Sequence, residues 1–176
     1  MCTLTFVAAN GKFILTHNRD EQTARASAVE PKRYLINTTP VFFPKDPKAG
    51  GTWFAVANSH SALVLLNGAD EKHQILSNYR KSRGLIVLDL ISSKSVIDQW
   101  KYIDLEDIEP FTLISFEKGQ LAQLQWNGKI KSAQKLDVNR PYIWSSATLY
   151  SKEIREQRAK WFQSFSFKLM FCSKNN

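Results

Sequence analysis

The pair Asn10-Gly11 constrains this chain more than any other feature. It stands between two β-favouring runs, "TLTFVAA" (3–9) and "KFILTHN" (12–18). Asn-Gly is the dipeptide best suited to the positive backbone angles of a two-residue hairpin turn. A tight turn there fixes the register outward from it: Ala9 faces Lys12, Leu4 faces His17, and Cys2 faces Arg19. The first nineteen residues are therefore predicted to be one hairpin, whose open end brings position 2 beside the polar run "NRDE" at 18–21.

That meeting point has a specific chemistry. Initiator methionine is commonly removed when a small residue follows, so the mature chain is expected to begin at Cys2. Thiol and α-amine would then share one residue. An α-amine titrates at about 7.7–8.0, and near neutral pH it can accept the thiol proton. Asp20 would orient the amine and Arg19 would favour the thiolate. This is nucleophile, base and orienting acid gathered in one hairpin. The plain structural alternative is a small apolar residue at position 2 and a capped turn at 18–21. His17 shares the face of Cys2, as a ligand, a base or simply a buried ring.

Composition narrows the class. The chain has 176 residues and is 43% hydrophobic, enough for a real core in a single domain spanning 1–176. Its longest apolar run, "GLIVLDLI" (84–91), is too short to cross a bilayer and carries Asp89. No secretory signal begins the chain, and the two cysteines, at 2 and 172, form neither a disulfide framework nor a metal-ligand spacing. A cytoplasmic protein is expected. The net charge of +8 invites a nucleic-acid reading, but the basic residues are scattered and do not interleave with aromatics in a recognition signature. No specific nucleic-acid partner is expected.

Further along, a second hairpin is predicted in 51–67, turning around 58–61, with a proline-containing loop over 30–50 before it. Ser82 caps a helix through "RGLIVLDLISS", and a short helix follows around Val96 to Trp100. A meander is predicted over 111–117, 120–126 and 129–136, then a strand over 142–147 that includes Ser145 and Ser146. Ser151 starts a helix through Phe165, with early acids and later bases that match the helix dipole. Hairpin-paired strands with helices grouped between and after them make an α+β fold. His60 and His73 fall in turns.

Taken in order, "MCT", "NRDE", "AGGTW" (49–53), "LLNG" (65–68) and "SRG" (82–84), with "WSSATLYSKEIREQR" (144–158), resemble the NRDE family. Its eukaryotic members are called transport and Golgi organisation proteins. The resemblance covers about residues 1–165. It implies a four-layer αββα sandwich similar to N-terminal nucleophile hydrolases. It also implies a nucleophile at Cys2, an amine-orienting acid at Asp20, an arginine at Arg19, and an asparagine at a strand end, Asn67, to hold an oxyanion. Asn67 beside Gly68 is equally a turn residue. Gly50 and Gly51 suit a close backbone approach, with Trp53 as a wall of the site.

Two functions follow from the resemblance. One is a cysteine amidohydrolase acting on a small amide without a cofactor. The other is a non-enzymatic carrier of haem or another small ligand, with Cys2 or His17 reaching the iron. The ending "SFSFKLMFCSKNN" (164–176) does not resemble the family's C-terminal part; an end truncated relative to the family, or a divergent one, would leave a sheet edge or face uncovered.

Overall fold

The computed structural model describes residues 2–19, 25–57 and 61–172. Ten strands and three helices follow one another as β1 (Thr3–Ala9), β2 (Lys12–Asn18), β3 (Val29–Ile36), β4 (Thr39–Lys45), β5 (Phe54–Ala57), β6 (Ser61–Asn67), α1 (Arg83–Ile91), α2 (Val96–Tyr102), β7 (Phe111–Glu117), β8 (Gln120–Trp126), β9 (Lys131–Leu136), β10 (Tyr142–Ser145) and α3 (Lys152–Cys172). The strands form a three-stranded sheet in the order β10-β1-β2 and a seven-stranded sheet running β3 to β9 in chain order.

The first hairpin has the predicted register, from Ala9 opposite Lys12 to Thr3 opposite Asn18. Asn10 and Gly11 both have positive φ, 52° and 71°, as the primed turn requires. The ladder stops at Thr3, one residue short of Cys2. Alternation along β1 then sorts its side chains: Leu4 and Phe6 are fully buried on one face, while Thr3 and Thr5 lie on the other. β10 closes the opposite side of β1, pairing Leu4 with Trp144 and Phe6 with Tyr142.

Two cores divide the molecule into layers. Between the sheets, Leu4 and Phe6 pack with Val64, Leu66, Ile114 and Leu121. On the far face of the large sheet, Leu63, Leu65, Leu113 and Leu124 pack against α1 and α2. β6 and β7 serve both cores, so their side chains are buried on both faces and read as near-continuous apolar runs. Ser82 caps α1 by accepting from the Gly84 N–H, and the helix buries Ile86, Val87, Leu88, Leu90 and Ile91. Each such side chain contributes roughly 1.5–3 kcal/mol of burial, so α1 is held by the core more than by its own propensity. α3 covers the outer face of the small sheet, where Arg158 donates to Thr3 Oγ1 at 3.2 Å. The result is the expected α+β sandwich of layers αββα.

Three local expectations are corrected. Residues 30–50, read as a loop, contain the β3–β4 hairpin, turned by Asn37 and Thr38 at φ 45° and 69°. Pro31 is tolerated because β3 is an edge strand, and its register shifts between Val29 and Lys32. The last strand ends at Ser145, which leaves Ser146 in the following turn. α3 runs past Phe165 to Cys172, because nothing in the sequence after Phe165 breaks a helix. The turn expected around 58–61 lies, for 58–60, outside the described residues.

Candidate active site

The site begins with two glycines. A Cβ on Gly51 would stand 2.4 Å from the carbonyl carbon of Gly84, and one on Gly84 would stand 2.9 Å from the backbone of Thr52. The Thr52 N–H donates to Gly84 O at 3.1 Å. Only glycine permits this approach. It ties the loop carrying "AGGTW" to the first turn of α1, which carries "SRG". Asp46 stabilises the same loop from within. Its Oδ1 accepts from the N–H groups of Lys48 and Ala49 at 2.9 and 3.2 Å, and its backbone bonds to Gly50 and Gly51.

Cys2 reaches this junction from the first hairpin. It is buried, and its carbonyl accepts the Ser146 N–H at 3.0 Å. The Ser146 hydroxyl donates to Asn67 O at 2.7 Å and lies 3.0 Å from Thr148 Oγ1. Ser146 thus holds the end of β1 against the end of β6. A cavity of about 110 Å³ opens there, lined by Cys2, Arg19, Arg25, Asp46, Trp53, Asn67 and Arg83 among others. Cys2, Arg19 and Asn67 therefore meet at one cavity. Asp20 and Met1 lie outside the described residues.

Among the described residues, the charged groups lining the cavity are Arg19, Arg25, Arg83 and Asp46. Arg19 lies over the Trp53 ring at 4.0 Å from its centroid, with Nη2 3.8 Å from Asp46 Oδ2. Arg25 Nη2 stands 2.5 Å from the same oxygen. Burial pushes the Asp46 carboxyl up, but the Ala49 N–H, the Arg25 guanidinium and the Lys48 N–H outweigh it and hold the group below its usual range. Arg83 is buried beside Glu109, with Nη2 3.0 Å from Glu109 Oε2 and Nη1 donating to Pro110 O at 3.1 Å. Burial pulls Arg83 downward, while Glu109, Tyr79 and Cys2 push it up. Arginine stays protonated through such shifts.

His17 sits on the inner face of the small sheet, its ring edge-on to Phe54 at 6.4 Å between centroids. Neither ring nitrogen has a hydrogen-bond partner among the described residues. Burial first, and the Arg19 charge second, lower it to about 4, so the ring is neutral near pH 7. His73 is not an idle turn residue: its Nε2 lies 3.2 Å from Glu109 Oε1, on the carboxylate that holds Arg83. Ser145 points with Thr3 toward the outer face, away from the cavity.

Arg25, Asp46 and Arg83 carry no local mark of a site in the sequence. "SRG" and "AGGTW" mark the chain segments, but the contact between them is long-range. A larger cleft of about 890 Å³ lies between residues 70–72 and the start of α3. It contains neither Cys2 nor Asn67, so the smaller cavity is the one where a thiol meets donors and cations.

The family described as Transport and Golgi organisation 2 matches residues 1–167 of this chain. No curated protein matches it. Among solved structures, the C2A mutant of a conjugated bile acid hydrolase from Clostridium perfringens is similar over 88% of this chain and 56% of its own, with a TM-score of 0.53 and 9% identity. An arginine-to-leucine variant of the same hydrolase is similar over 87% and 48%, with a TM-score of 0.43 and 8% identity. This chain thus spans little more than half the length of the first of these. At such identity the likeness to the C2A structure bears on the fold, that of N-terminal nucleophile hydrolases.

Proposed function

This chain belongs to the Transport and Golgi organisation 2 family, and from that premise we propose that it is a cysteine amidohydrolase of the N-terminal nucleophile type. The observation that carries the proposal is the meeting of Cys2 and Asn67 at one cavity, with Ser146 bonded to the backbone of both. No helix among the described residues is long and apolar enough to cross a membrane.

With Met1 removed, the α-amine of Cys2 takes the thiol proton as Sγ attacks the amide carbonyl carbon. Asp20 orients that amine. The side chain of Asn67 and a backbone N–H hold the oxyanion of the tetrahedral intermediate. The C–N bond then breaks, and the α-ammonium returns its proton to the departing amine. Water attacks the thioester left on Cys2, releasing a carboxylic acid and restoring the thiol. The small cavity, below the roughly 300–1,000 Å³ of common ligand pockets, suits a short chain segment entering it.

Mass spectrometry tests the proposal. Protein beginning at Cys2, quenched in acid after mixing with a panel of N-acyl amides, is expected to carry one acyl group, mapped to Cys2 and labile to hydroxylamine. The absence of any such adduct across short, long and aromatic acyl groups would sink it.

A further inference from the structure

We propose that Arg83 is an anchor for a carboxylate on the substrate, so that the Cys2 cavity selects amides bearing an anionic group beside the scissile bond. This rests on the hydrolase reading and adds a substrate class to it. Arg83 is the first residue of α1, and the contact between Gly51 and Gly84 fixes that turn against the cavity wall. Its side chain is only 15% exposed, with Nη2 near Glu109 Oε2 and Nη1 donating to Pro110 O, and it lines the cavity with Cys2. The other oxygen of Glu109 lies 3.2 Å from His73 Nε2. Among the described residues lining the cavity, Arg19 and Arg25 share the Asp46 carboxylate, and Arg83 lies beside them with its own partner, Glu109. A planar guanidinium fork matches a carboxylate edge, and the helix N-terminus adds positive potential at the same place.

Cations beside Cys2 would also act on the thiol itself, and the two effects separate cleanly. Stabilising the thiolate changes its reaction with charged and neutral reagents alike. Binding an incoming anion changes only the first. Iodoacetate and iodoacetamide differ in little but charge, and both alkylate by forming Sγ–C as iodide leaves.

The experiment compares the rates at which the two reagents modify Cys2 in the full chain, with N-acetylcysteine as the reference thiol at the same pH and salt. The iodoacetate-to-iodoacetamide ratio is expected to exceed the reference by about tenfold, the scale of one charge-assisted hydrogen bond. In Arg83→Gln it is expected to fall to within about twofold of the reference, as loss of that bond requires. A wild-type ratio equal to the reference overturns the proposal, and so does a raised ratio that Arg83→Gln leaves unchanged. Because Arg83→Gln removes one of the two partners of Glu109, a second measurement uses the wild type alone. N-acetylglycine is expected to slow iodoacetamide labelling of Cys2 and N-acetylglycinamide is not; equal protection overturns the proposal. The two readings fail separately. An acyl adduct on Cys2 with no anion preference removes the anchor and keeps the hydrolase. Anion preference without any acyl adduct does the reverse.

Discussion

Gly51 and Gly84 lie backbone against backbone, with the Thr52 N–H closing the contact on Gly84 O at 3.1 Å. This contact sets the distance between the loop after β4 and the start of α1, and with it the shape of the Cys2 cavity. A methyl group at either glycine meets backbone, which cannot swing aside as a side chain can.

Gly51→Ala is therefore expected to cost at least the roughly 1–3 kcal/mol typical of overpacking. Gly119→Ala is the control: its φ is +76° but nothing lies within 4 Å of the added Cβ. Only left-handed strain applies there, about 1–2 kcal/mol. Urea midpoints compared at equal m-value check the ordering. A Gly51→Ala protein as stable as the parent would show that the two segments separate easily.

Acidification should act through His17. Its folded value of about 4 lies below the ordinary 6.5, so the unfolded chain binds the proton more readily. Stability contributed by the neutral ring is present above pH 6.5 and is lost as pH falls toward 4. His17→Leu keeps an apolar group in the same place and removes the titration. Its stability profile is expected to be flatter than the parent's between pH 6.5 and 4, measured by urea unfolding at each pH. Parallel profiles would mean that the ring reaches solvent when charged.

Ser146 ties the nucleophile's strand to the strand bearing Asn67. Ser146→Ala keeps the N–H bond to Cys2 O but removes the hydroxyl bond to Asn67 O. A buried hydrogen bond lost in this way costs about 1–3 kcal/mol. Ser146→Thr retains the hydroxyl and is expected to recover most of the loss if the added methyl is accommodated. Denaturant midpoints for the two variants check this, and equal losses would point to packing instead.

These relationships differ in how far the sequence reveals them, and the difference is one of range. The β1–β2 hairpin is legible because Asn10-Gly11 and two alternating runs act within a few residues of one another. The cap at Ser82 and the buried run after it are legible for the same reason. β3 and β4 are not: prolines at 31, 40 and 44 and a largely exposed β3 hide a hairpin whose only fully buried side chains are Val41 and Phe43. Arg83 and Asp46 are invisible as site residues because their positions depend on the glycine contact and on Glu109, all distant in the chain. Cys2, Arg19 and Asn67 are reachable through the hairpin register and the ordered motifs, yet the bonds of Ser146 that join Cys2 to Asn67 are not.

The last prediction divides the work of Asp20 from that of Asn67. Alkylation of a thiol by iodoacetamide passes through no oxyanion, whereas attack on an amide carbonyl does. Asn67→Ala is therefore expected to leave iodoacetamide labelling of Cys2 near the parent rate, while slowing acyl transfer from an N-acyl amide by about 10²–10³-fold, the usual effect of removing one oxyanion donor. Asp20→Asn should slow both reactions, because a misoriented α-amine no longer takes the thiol proton. Protein that retains Met1 has no α-amine on Cys2 and should resemble Asp20→Asn in both assays. Labelling and acylation rates measured side by side on these proteins decide the assignment. If Asn67→Ala depresses both rates equally, Asn67 supports the cavity wall instead of the oxyanion. If retaining Met1 changes neither, the proton leaves Cys2 by another route and the N-terminal amine is not the base.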